Sequence, residues 1–94
     1  MAKPRYTRPD DNHNEIVRTI KMIPGLDVID LRDIGIEGVP DILVGYRGKN
    51  YLVEIKTDTG RLSPEQIKHQ NHWPGQTSIA RSVGAVLKII GLER

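Results

Sequence analysis

The chain contains neither cysteine nor phenylalanine, and it has a single tryptophan. The missing cysteine excludes a disulfide framework and any thiolate-bound zinc, and it accords with a reducing compartment. No apolar run approaches the roughly 20 residues that a helix needs to span a bilayer, so no membrane partner is expected. The opening MAKPRYTRPDDNHNE lacks an apolar stretch of the kind that marks a secretory signal, which leads to the expectation of a soluble, cytoplasmic protein. Charge of one sign is also scarce: 14 Lys and Arg stand against 12 Asp and Glu, for a formal net charge of +2. That balance permits a nucleic-acid partner without requiring one, since a local basic patch matters more than the sum.

What is present fits one globular domain. Residues 1–11 are polar, carry Lys3, Arg5 and Arg8 among Pro4 and Pro9, and read as a flexible basic arm. Residues 12–94 read as the domain. A helix is expected from about Asn12, with Ile16, Val17, Ile20 and Ile23 at helical spacing. An Asn12/Glu15 capping box would open it, and Pro24-Gly25 would stop it. LDVIDLR, DILVGY and YLVEIKT read as strands, the last two joined by a four-residue RGKN loop. Ser63, Pro64 and Gln66 make a strong helix start, TSIARS a short strand, and Ser82 the cap of a terminal helix bearing Val83, Val86, Leu87 and Ile90. The order α-β-β-β-α-β-α predicts a mixed sheet flanked by helices, in the α/β or α+β class.

The two most strand-like segments carry charges where apolar residues usually stand. Side chains alternate across a strand, so Glu54 and Lys56 share one face. Counting back from a loop at Arg47–Asn50 pairs Tyr46 near Tyr51 and sets Asp41 opposite Lys56 or its neighbour. Two carboxylates so close repel unless something neutralises them. A hard divalent cation such as Mg²⁺ or Mn²⁺ would do so, and with Lys56 beside it the set suits phosphodiester hydrolysis. A cross-strand ion pair on a solvated sheet face accounts for the same spacing.

Pro40-Asp41 followed by Glu54-Ile55-Lys56 resembles the PD-(D/E)XK nuclease motif. With EGVPDILVG, YLVEIKTDTGRLSPEQ and the closing strand and helix, the chain is similar to the VRR-NUC domain, the virus-type replication-repair nuclease, over roughly residues 12–92. The resemblance implies a restriction-endonuclease-like α/β core. It makes Asp41, Glu54 and the Ile55 carbonyl metal ligands and Lys56 the catalytic lysine. It also makes Glu15 a first-helix acid reaching the metal directly or through water, and Gln66 a positioning residue. Capping-box roles for Glu15 and Gln66 stand beside these. Standalone members occur in phage and bacterial proteins, which sets the expected source.

The expected activity is therefore a Mg²⁺- or Mn²⁺-dependent, structure-selective endodeoxyribonuclease in DNA repair or recombination. Its expected substrate is the four-way (Holliday) junction, and two symmetric cuts would need a homodimer. A flap, nick or restriction-like nuclease and a noncatalytic nucleic-acid-binding module are the alternatives. Arg5, Arg8, Arg61 and Lys68 are candidate phosphate contacts, and Tyr6 a candidate base-stacking residue. Trp73 is expected to seal the core. His13, His69 and His72 are not expected to form a zinc site.

Overall fold

The computed structural model describes residues 8–92. Its elements are α1 (Pro9–Ile20), β1 (Leu26–Asp30), β2 (Ile42–Tyr46), β3 (Lys49–Ile55), α2 (Pro64–His72), β4 (Ser78–Ala80) and α3 (Val83–Ile89). The four strands form one sheet in the order β1-β2-β3-β4. The first three are antiparallel neighbours, and β4 joins β3 in parallel through the α2 crossover. The mixed sheet and the element order agree with the sequence expectation. No helix among the described residues is long and apolar enough to cross a membrane.

Alternation divides the sheet into two faces. Leu26, Val28, Ile42, Val44, Tyr46, Val53 and Ile55 supply the core, closed by Ile16 and Ile20 of α1 and by Val86 and Ile90 at the α3 end. Each such fully buried aliphatic side chain stabilises the fold by about 1.5–3 kcal/mol. The other face, with Leu43, Leu52 and Glu54, carries α2, a helix with no buried residue of its own.

Three local expectations are corrected. Helix α1 starts at Pro9, so residues 9–11 belong to it rather than to the arm. Proline lacks the N–H that a first turn leaves unpaired, and Asp10 and Asp11 favour the positive end of the helix dipole; together they outweigh the start signal at Asn12. There is accordingly no Asn12/Glu15 capping box. The β2–β3 connection is a two-residue turn, with Arg47 at φ 50° and Gly48 at φ 79°. Both residues take the left-handed conformation that matches strand twist in a tight hairpin. Tyr46 therefore pairs with Lys49, two residues closer than expected, which preserves the face of every side chain. Trp73, finally, is 46% exposed at the end of α2 and stacks on His69 with ring centroids 5.1 Å apart, outside the core.

Candidate functional site

The hairpin register sets the site. Ile42 pairs with Val53, and continuing by one residue brings Asp41 across from Glu54 rather than Lys56. Asp41 sits just before β2, where the backbone ladder ends. Its Oδ2 accepts from the Ile55 amide at 3.0 Å, and its carbonyl accepts from Leu31 at 2.8 Å. The side chain thus continues the sheet where the strands part. Pro40 is buried ahead of it, and Gly38 runs against the first turn of α2. A Cβ at Gly38 would overlap the Glu65 carbonyl, and φ there is 80°, so only glycine lets this loop pass.

Glu54 is 2% exposed. Its Oε2 accepts from Gln66 Nε2 at 3.0 Å and lies 3.7 Å from Lys56 Nζ. Its Oε1 is buried without a hydrogen-bond partner. Burial first, and Asp41 second, push the Glu54 carboxyl up to about 7, against the opposing pull of Lys56. Lys56 is held from behind, because Asn12 Nδ2 donates to its carbonyl at 2.9 Å. The loop that follows is tied by Arg81, whose Nη1 donates to the carbonyls of Thr57 and Gly60.

A cavity of about 310 Å³ opens over these groups. Of the residues selected from the sequence, Asp41, Glu54, Ile55, Lys56, Gln66 and Arg61 line it. Glu15 does not. It is exposed and lines a neighbouring groove with Asn12 and Arg81, which meets the site cavity only at Thr57. From α1 and the segment just after β1 the cavity instead receives Asp10, His13 and Arg32, which the sequence reading did not select as site residues. His13 shares the buried stripe of α1 with Ile16 and Ile20, and that helical spacing was the available signal. Its burial and the nearby Arg32 lower its pKa, partly offset by Asp41 and Asp30. Lys68 lies in a separate surface groove with His69 and His72. Arg8 is exposed at the α1 cap, while Arg5 and Tyr6 lie outside the described residues.

The donor set suits a hard cation. The Asp41 and Glu54 carboxyls and the Ile55 carbonyl could supply oxygen ligands to a hard cation, with the remaining positions left to water. Among the described residues no three His, Asp or Glu side chains converge as a preformed metal cluster. Glu54 Oε1, buried beside Asp41 and without a hydrogen-bond donor among the described residues, is the local observation that fits a cation ligand.

The architecture is that of a mixed sheet between helices, carrying its polar residues where β2 and β3 part. A solved structure described as a "VRR_NUC domain" shares it, with a TM-score of 0.70 and 23% sequence identity over 92% of this chain and 97% of that one. The chain therefore has the VRR-NUC fold. Neither a family model nor a curated protein matches the sequence.

Proposed function

We propose that this chain is a Mg²⁺- or Mn²⁺-dependent, structure-selective endodeoxyribonuclease that resolves four-way DNA junctions as a homodimer. The observation that carries the reading is Glu54: a buried carboxylate facing Asp41, with one oxygen held by Gln66 and the other without a partner. Such a pair is costly unless a proton or a cation joins it, and a cation is what the strand-end oxygens could hold at neutral pH. Asp41, Glu54 and the Ile55 carbonyl would hold that cation. A cation held there would supply Lewis-acid polarisation of the phosphate and activation of water.

The chain's own residues do the rest. Lys56 stands 3.7 Å from Glu54 with its side chain 19% exposed, close enough to stabilise negative charge growing on the phosphate. Gln66 fixes the rotamer of Glu54, and Asn12 fixes the end of the strand that carries Lys56. Arg61, which lines the cavity, is the best placed of the expected phosphate contacts among the described residues, ahead of Arg8 and Lys68. The shared VRR-NUC fold supports nuclease chemistry. The dimer follows from the substrate: one chain supplies one such cavity, and paired incisions across a junction need two related by symmetry.

The test is cleavage of labelled four-way junction, flap, duplex and single-stranded DNA with Mg²⁺, Mn²⁺ or EDTA, beside Lys56→Ala. Symmetric, metal-dependent incision of the junction, lost in the variant, is the expected result. Incision of another substrate retains the nuclease and discards the resolvase. No incision, with no metal binding by calorimetry, makes the chain a nucleic-acid-binding module or removes DNA from its function. Solution mass decides the dimer.

A further inference from the structure

Arg32 lines the same cavity as Asp41, Glu54 and Lys56, and the metal-ligand set has no use for it. Its guanidinium is held in a fixed orientation. Nε donates to both oxygens of Asp30 at 3.1 Å, and Nη2 donates to Asp30 Oδ2 at 2.7 Å. The Arg32 backbone amide adds a fourth bond to Asp30 Oδ1 at 2.9 Å. Asp30 is itself seated against α1, where His13 Nε2 lies 3.6 Å from Oδ2. His13 is only 4% exposed and borders Asp30 without hydrogen-bonding to it; the four bonds from Arg32 are what fix the pair.

The fork consumes Nε–H and one hydrogen of Nη2. Of the five N–H donors of a guanidinium, three remain, two of them on Nη1. Among the described residues only Asp10 approaches Nη1, at 3.7 Å, and its side chain is 88% exposed. A loose carboxylate at that distance is easily displaced by an anion. A half-exposed ion pair returns little stability on its own. Four bonds to one carboxylate instead preorganise the free edge of the guanidinium, whose planar donors match two oxygens of a phosphate.

We propose that Arg32 is a substrate-contacting residue that binds a backbone phosphate of the DNA strand entering the cavity, with Asp30 as its positioning residue. The inference rests on the nuclease reading and adds to it a second, sequence-independent anchor beside the reacting phosphate. It makes an unusual demand: an acid close to the DNA must help binding. A purely electrostatic account predicts that neutralising either Asp10 or Asp30 tightens DNA binding, whereas a held fork predicts opposite signs for the two.

The experiment measures binding of fluorescein-labelled four-way junction and duplex DNA by anisotropy, in Ca²⁺, across a salt series. Arg32→Ala should weaken binding about tenfold and reduce the salt slope by about one. Arg32→Lys should restore the slope but only part of the affinity. Asp30→Asn should weaken binding, and Asp10→Asn should leave it unchanged or tighter. Under cleavage conditions the loss in Arg32→Ala should fall mainly on KM. Thermal melts of each variant establish that it is folded. Tighter binding by folded Asp30→Asn, or wild-type binding by Arg32→Ala, overturns the proposal. If wild type cuts DNA and Lys56→Ala does not, that failure touches Arg32 alone. If wild type neither binds nor cuts, both readings fall.

Discussion

Gln66 and Glu54 are joined by a hydrogen bond of 3.0 Å, and the same glutamine closes the capping box of α2. Its Oε1 accepts from the Ser63 amide at 2.8 Å while its Nε2 donates to Glu54 Oε2. Helix capping and site positioning are therefore performed together by opposite ends of one amide.

That division of labour makes the two roles separable. Gln66→Glu retains an acceptor for the Ser63 amide but brings a third carboxylate against Glu54. The helix should persist by circular dichroism, while cleavage falls by roughly tenfold or more. Gln66→Ala should lose both, with a stability cost of about 1 kcal/mol from the cap.

Lys56 tests the chemistry most directly. Lys56→Ala should reduce kcat by a factor on the order of 10²–10³, in the range seen when one charge-stabilising group is removed. Metal binding, read by calorimetry, should survive. Retained wild-type turnover would remove the lysine from the mechanism.

Glu54 gives the metal-free protein a predictable pH dependence. Its carboxyl is raised from 4.5 to about 7, so between those values the folded chain binds protons that the unfolded chain has released. Stability from this group therefore falls as pH rises through that window, and the full cost is present above about 7. Glu54→Gln should raise the Tm of the metal-free protein on the alkaline side and lose that advantage toward the acid side. Added Mg²⁺ should raise the Tm of wild type and not of the variant. A Tm difference independent of pH would contradict the assignment.

Gly38→Ala touches no functional group and should still damage the site. The new methyl meets the Glu65 carbonyl in a backbone conformation that alanine resists. A loss of about 1–3 kcal/mol by chemical denaturation is expected, with weaker metal binding because Asp41 lies three residues downstream.

Glu15 and Asp41 should separate cleanly. Asp41→Asn removes an oxygen ligand and should abolish measurable metal affinity. Glu15→Gln, in the neighbouring groove, should leave affinity within about threefold, since an exposed charge at that remove is largely screened. Equal losses would place Glu15 at the metal.

Much of the fold was legible because its signals are local. Ser63 and Ser82 cap the helices they were expected to cap, accepting from Gln66 and Ala85. The alternation of DILVGY set the buried face of β2, and a two-residue error in the turn left the faces of both strands intact because the side-chain period is two. The same tolerance kept Asp41, Glu54 and Lys56 together despite the shifted pairing. What was not legible depends on how α1 docks. Rotation of that helix about its axis decides whether Glu15 or His13 meets the cavity, and it is set by the packing of Ile16 and Ile20 against the sheet. The Asp30–Arg32 fork was equally hidden, since two charges at the end of a strand announce nothing until the neighbouring helix is in place. Trp73 was misread because a large aromatic at a helix end was assumed to point inward.

The tight turn at Arg47-Gly48 also bears on the order in which the molecule assembles. The bond between Asp41 and Ile55 spans 14 positions, whereas the one from Asn12 to Lys56 spans 44. A hairpin zips within about 1–10 μs, and contacts between distant segments wait on slower loop closure. By sequence separation alone, the carboxylate pair belongs to local folding, whereas the fastening of the strand end by α1 is a long-range contact. The acids are thus joined by a short loop and buttressed by a long one, so a cut or permutation in the amino-terminal third should loosen the strand end before it separates the pair.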